Sequence, residues 1–293
     1  MRRRGWRSLA AAQVLFVVVV VLAAAAGAPA SPTTRFTRAN SPEWSPKDDK
    51  LVIVGYEDGG PKARGALYVI DSDGSDARRI TPFLATVGAP DWAPDGKRIV
   101  FVADYKLWVV GADGSNMRSL GRPGGSPKWG PGGRWIAYHQ RGAIFAVSPN
   151  GQRDAVVADP ARLGGEQIFL MPSWSPDGER LVFCMLPAPD MSASASLGVL
   201  RRFGGRVTVV GSPYPNQPDW SPDGRSIALA AIDLRGAATV AVLDLPTRRV
   251  RMLRPGGSPS WSSDGRRIAF SGERQIYIMD ARGLHLRQVT HAR

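Results

Sequence analysis

The sequence predicts an all-β ring, a six-bladed β-propeller of four-stranded antiparallel blades preceded by an N-terminal signal or anchor helix. Three observations predict it. A Pro-x-Trp phrase occurs six times, ending at Trp44, Trp92, Trp129, Trp174, Trp220 and Trp261. The tryptophans stand 48, 37, 45, 46 and 41 residues apart, the length of one propeller blade rather than of a helical or leucine-rich repeat. Seven residues after each comes an unbroken apolar triplet such as Ile99-Val100-Phe101 or Ile268-Ala269-Phe270. A strand with one wet face alternates apolar and polar, so an unbroken run needs cover on both faces, and blades stacked on either side supply it.

Residues 1–30 read as targeting. Arg2, Arg3, Arg4 and Arg7 precede an apolar stretch at 9–28 interrupted only by Gln13, and Ala28-Pro29-Ala30 offers a small-x-small cleavage site. The protein is therefore expected to be exported. The stretch is long enough to span a bilayer, so a cleaved signal peptide and a retained anchor with its arginines inside both stand as readings. No cysteine follows the stretch, which excludes a lipoprotein anchor.

Residues 31–293 are expected to form the ring, with blades at 41–82, 89–122, 126–160, 171–213, 217–256 and 258–293. The sequence leaves no stretch for a catalytic partner domain. Arg35-Phe36-Thr37 imitates the fourth-strand pattern Arg79-Ile80-Thr81, so residues 34–38 are expected to add to the edge of the last blade and clasp the ring, because an open outer edge invites aggregation. Within a blade, the tryptophan strand is followed by a turn such as Ser175-Pro176-Asp177-Gly178 or Ser221-Pro222-Asp223-Gly224. Proline presets an early turn dihedral, aspartate bonds back to the local backbone, and glycine takes a positive φ. The apolar triplet is the second strand. Third strands are expected at 66–71, 106–111, 143–148, 198–202, 239–244 and 275–280, and more polar fourth strands at 78–81, 117–121, 154–159, 207–212, 250–254 and 286–291.

This unit resembles the repeat of TolB-like six-bladed propellers: Pro172-Ser-Trp-Ser-Pro-Asp-Gly178, Ile268-Ala-Phe270 and Ile276-Tyr-Ile-Met-Asp280 carry the likeness. It extends over roughly residues 35 to 293, without the domain that precedes the ring in TolB itself. What the resemblance implies is a fold; the same repeat serves in TolB, in propellers fused to serine peptidases and in exported proteins of other kinds, so it implies no single activity.

Composition narrows the chemistry. The only histidines are His139, His285 and His291, with no metal-ligand spacing among them, and no nucleophile elbow, P-loop, dinucleotide fingerprint or His-Glu-x-x-His motif occurs. No cofactor or metal is expected, and the protein is read as a non-enzyme. Asp71-Ser-Asp73-Gly-Ser-Asp76 places its glycine too early for a calcium loop and lacks the closing glutamate. The one cysteine, Cys184, falls in a strand and is expected to be a buried, inert thiol. The net charge is +13, of which +4 belongs to the leader arginines. Export makes nucleic acid an unsuitable partner and leaves a protein or an anionic envelope polymer, with the membrane touched only through an N-terminal anchor and the ring itself monomeric. Arginine pairs such as Arg78-Arg79 fall on outer strands and are read as solvated rim.

Two sets of residues are candidate sites. The residue before each tryptophan should reach one level of the central channel: Glu43, Asp91, Lys128, Ser173, Asp219 and Ser260. The three carboxylates could take a cation or a partner's amine, or could satisfy channel waters and neighbouring backbone groups. The connections on one rim, by contrast, at 56–64, 82–89, 159–171, 186–197, 212–217 and 232–237, differ widely, as expected of a binding face built on repeats. On or beside that rim stand Tyr56, Phe83, Tyr105, Phe169, Met191 and Tyr214 as apolar anchors, with Glu57 and Arg235 as polar contacts. The leading functional reading is an exported protein-binding or scaffold propeller acting through this rim. The alternative is a hydrolase or lyase with an acidic site in the channel mouth.

Overall fold

The structure, a computed structural model, describes residues 36–56, 63–163, 167–187, 195–201, 205–211, 215–233 and 235–291. The N-terminal targeting segment lies outside them. Among the described residues no helix is long and apolar enough to cross a membrane.

Among the described residues, twenty-four strands form six antiparallel sheets of four, and within each sheet the strands lie side by side in chain order. The innermost strands are Arg38–Trp44, Val87–Trp92, Gly125–Trp129, Gln167–Trp174, Pro215–Trp220 and Gly257–Trp261. Each begins between one and four residues earlier than the repeat alone indicates. The Phe169 side chain is caught in this difference: it sits inside the innermost strand of blade 4, paired with Met185, rather than on a loop. The outermost strands of blades 1 and 6, Arg78–Arg79 and Arg287–Gln288, have only two residues each, which leaves little unpaired edge for another chain to extend.

Six apolar clusters fill the six seams between blades. The second strand shows how one element serves two of them: Leu51 and Ile53 pack toward blade 6, Val52 and Val54 toward blade 2, and all four are fully buried. This is the physical content of the unbroken apolar triplets. Cys184 lies in the seam between blades 4 and 5, where burial pushes its thiol up to about 12, so it stays protonated and unreactive.

Two polar ties recur around the ring. An arginine opening the second strand lies over the tryptophan of the following blade: Arg98 over Trp129 at 4.9 Å, Arg180 over Trp220 at 4.7 Å and Arg267 over Trp44 at 4.6 Å. An arginine of an outermost strand donates to a carbonyl at the outer turn of the following blade, as Arg78 does to Ala112, Arg118 to Pro149, Arg251 to Ala281 and Arg287 to Ser72. Arg79 stacks on Phe83 at 4.5 Å. These arginines therefore tie blades and cover apolar surface rather than merely solvating the rim.

Of the closing strand expected at 34–38, three residues are described. Residues 34 and 35 are outside the described set, Phe36 and Thr37 are not in a strand, and Arg38 already belongs to blade 1, paired with Tyr56. No fifth strand clasps blade 6 among the described residues. Instead the Phe36 N–H donates to His291 C=O at 3.1 Å, and its ring, fully buried, fills the seam between blades 6 and 1 with an edge-on contact to Tyr68 at 4.9 Å. Other ties at this seam include Arg267 to Asp49 at 2.9 Å, Trp44 N–H to Ser260 Oγ at 3.1 Å, Ser41 N–H to Ser271 Oγ at 3.0 Å and Ala39 N–H to Arg274 C=O at 2.7 Å. Among the described residues, interdigitating side chains hold this seam.

Candidate functional site

Every innermost strand carries a β-bulge three residues before its tryptophan. There the residue adopts a left-handed backbone: Ser41 (φ 51°), Ala89 (46°), Ser126 (44°), Met171 (54°), Gln217 (50°) and Ser258 (50°). In each blade one extra residue opposes the second strand, as between Asn40↔Val54 and Glu43↔Val52. A bulge shifts the in-out alternation by one and re-aims the side chains that follow it. Here it precedes the six residues that share one level of the channel. None of the six bulged residues is glycine, so glycine counting gives no sign of them; the recurrent proline after each, a residue confined within sheets to edges and bulges, is the available signal.

The channel residues meet across the ring. Lys128 Nζ from blade 3 forms an ion pair and hydrogen bond with Glu43 of blade 1, and stands 3.4 Å from Asp91 Oδ1 of blade 2 and 3.7 Å from Asp219 Oδ1 of blade 5. All four side chains are only 14–17% exposed. The aspartates also stitch blades: Asp91 Oδ2 accepts the Trp129 N–H at 2.6 Å and Asp219 Oδ2 the Trp261 N–H at 2.9 Å. The carboxylates thus hold the chain's own ammonium and neighbouring backbone amides, the arrangement that a cation or a partner's amine would otherwise complete. Its clue was present in the sequence, since Lys128 occupies the same repeat position as the acids. Among the described residues no group of three His, Cys, Asp or Glu side chains converges as metal ligands. Above the cluster the channel mouth encloses about 60 Å³, room for a few waters and well below the roughly 300–1,000 Å³ typical of small-molecule sites.

The cluster links stability to pH. Burial pushes the Glu43 carboxyl up to about 8 and Asp91 up to about 6, with Lys128 pulling the other way, and burial raises Asp219 as well. Burial alone would lower the Lys128 ammonium, but Glu43, Asp91 and Asp219 together raise it. Carboxyls that titrate above their ordinary value, about 4 in an unfolded chain, bind more protons folded than unfolded, so their contribution to stability falls as pH rises through the folded values. The melting temperature is expected to decline between about pH 5 and about pH 8 and then to level, and Glu43→Gln is expected to flatten the upper part of that decline. Calorimetric melting across this range is the check; a flat or rising profile would contradict the assignment.

The rim candidates separate. Tyr105 is 79% exposed. It shares with Asp104 a two-residue hairpin between strands Arg98–Ala103 and Lys106–Gly111, both residues at positive φ (47° and 59°), a conformation that asparagine and glycine adopt more readily than tyrosine. Asp104 is fixed by Thr86, which accepts its N–H at 2.7 Å and donates to Oδ1 at 3.1 Å. Tyr56 is half-buried beneath Arg38, whose guanidinium lies 3.9 Å from the ring centre, and Phe83 is half-buried beneath Arg79. Arg235 is exposed, its N–H donated to Asp233 within a turn. Phe169 is removed from the set: it is fully buried against Phe183 at 4.8 Å, in the seam between blades 3 and 4. Glu57, Met191 and Tyr214 lie outside the described residues.

The histidines are structural. His139 Nδ1 accepts the Met171 N–H at 3.3 Å, and burial lowers its pKa, keeping the ring neutral. His285 pairs with Asp280 at the surface, and His291 supplies the closing carbonyl. Asp73 accepts the Ser75 N–H and hydroxyl, a β-turn rather than a calcium loop.

No family model matches the chain. The Tol-Pal system protein TolB of Alcanivorax borkumensis is 36% identical over 59 residues, 20% of this chain and 13% of that protein. The crystal structure of TolB from Acinetobacter baumannii superposes with a TM-score of 0.64 at 19% identity, covering 84% of this chain and 62% of that one. An oligogalacturonate lyase in complex with manganese gives 0.58 at 14% identity, covering 81% and 75%. The chain spans only part of the TolB proteins it matches, and what these likenesses show is the fold: a TolB-like six-bladed propeller.

Proposed function

We propose that this protein is an exported, non-enzymatic binding propeller that engages a protein of the cell envelope through the rim carrying the blade-to-blade connections. The observation that supports it most is Tyr105: a large aromatic side chain, 79% exposed, on a hairpin conformation that a smaller residue would adopt more easily. Local strain of this kind persists where function maintains it, and tyrosine is among the residues that anchor interfaces. Tyr56 and Phe83, each under an arginine, give the same rim amphipathic neighbours. The channel offers less to the competing hydrolase or lyase reading, since Lys128 already occupies its acids and its cavity is a few waters in size. Export follows from the leader, and TolB-like neighbours are consistent with an envelope role.

The test is site-specific photocrosslinking in the producing cell, with the photoreactive group at residue 105 on one rim and, as control, at Ser263, an exposed residue on the opposite rim. A discrete protein adduct from 105 and none from 263 is expected. Tyr105→Ala should weaken the purified complex by about 2 kcal/mol, roughly thirtyfold. Equal adducts from both positions, or an unchanged affinity, would count against the rim.

A further inference from the structure

We propose that the opposite rim, formed by the turns after the tryptophan strands, carries a second site between blades 3 and 4 that takes a neutral oligosaccharide. The repeat itself is the control. In the other five blades this turn carries serine or alanine first and aspartate or lysine third, as in Ser175/Asp177 and Ser221/Asp223; blade 3 has Gly130 and Gly132. A side chain at Gly132 would meet only open space. The position opening the second strand is Lys50, Arg98, Arg180, Ser226 or Arg267 elsewhere, and in blade 3 it is Trp135, half-buried at a solvent rim. Its neighbour Trp174 is also half-buried, whereas Trp44, Trp92, Trp129 and Trp220 are 5–7% exposed. Trp261, which follows the short Ser226, is the other half-buried copy.

These departures coincide with a groove of about 760 Å³ lined by Trp135, Trp174, Pro131, Arg134, Asp177 and Glu179, a volume within the roughly 300–1,000 Å³ of small-ligand sites. Flat indole surfaces suit the C–H faces of pyranose rings, while a guanidinium that only donates and carboxylates that only accept can both bind hydroxyls. With Asp177 paired to Arg180 at 3.5 Å, Arg134 and Glu179 leave the groove close to neutral, which favours neither an anionic polymer nor a cationic peptide. A neutral sugar chain meets neither objection.

Titration calorimetry of the folded ring with cellotriose and chitotriose tests this. Saturable binding of at least one trisaccharide is expected. Trp135→Arg, which restores the residue used in three other blades, should keep the melting temperature and weaken binding at least tenfold; Trp135→Ala serves if that variant misfolds. The proposal is overturned if neither sugar binds the wild type at millimolar concentration, if both Trp135 variants bind as tightly as the wild type, or if polygalacturonate binds in preference to both.

Discussion

Replacing Lys128 with methionine is expected to destabilise the ring by about 3–5 kcal/mol at about pH 8, the cost of leaving buried charge without its partner. Three carboxylates from three blades, 14–17% exposed, would then face one another with no cation between them. For a domain of this size each kcal/mol moves the melting temperature by roughly 2–4 °C. The loss should shrink near pH 5, where the carboxyls that burial raises, Glu43 to about 8 and Asp91 to about 6, carry protons. Adding Glu43→Gln to Lys128→Met should recover part of the loss, because the double change removes charge from both sides of the pair. Urea unfolding of the four variants at the two pH values measures all of this. A loss of similar size at both pH values would assign the effect to packing instead of charge.

Phe36→Ala should be nearly as damaging, about 3–5 kcal/mol, the range for emptying a buried aromatic site. The residue lies before the first strand, where truncation is ordinarily harmless. Here its side chain is fully buried among Leu51, Ile53, Tyr68, Ile276 and Val289, so it joins the first blade to the last. Among the described residues no strand is shared across the seam it fills. Hydrogen exchange should show the amides of Gln275–Asp280 and of the first blade losing protection together, ahead of blades 3 and 4. A loss below about 1 kcal/mol, or uniform loss of protection, would mean that the arginine and serine ties at this seam suffice without the ring.

The fold was legible because the repeat exposes both of its constraints at once. Trp-to-Trp spacing sets blade length, and triplets such as Ile99-Val100-Phe101 state that both faces of the second strand are covered; each of these residues is fully buried. Closure was less legible: Arg35-Phe36-Thr37 and Arg79-Ile80-Thr81 look alike in pattern, pattern does not tell a paired backbone from a plugged seam, and Phe36 is found in the seam. Phe169 was misplaced for a related reason: the innermost strand of blade 4 extends back to Gln167, past the proline that marks the repeat. The channel residues were identified by position alone, yet their chemistry depends on reach. Only Lys128 is long enough to cross to blades 1, 2 and 5, and position gives no distance. The bulged backbone at Ser41, Ala89, Ser126, Met171, Gln217 and Ser258 was hidden because ordinary residues occupy it, held by the sheet rather than by their own preference. Trp135 was overlooked because it reads as one more aromatic; against the arginines of the other blades it is an exception.

In the proposed function the ring satisfies its own channel, so that ligands are met at the rims. Thermal unfolding of the wild type in a manganese titration tests it most directly. With Lys128 seated among Glu43, Asp91 and Asp219, millimolar manganese is expected to leave the melting temperature of the wild type unchanged. A saturable rise in the wild type that disappears in Glu43→Gln would show that the acids take an external cation, and the channel would replace the rim as the working site.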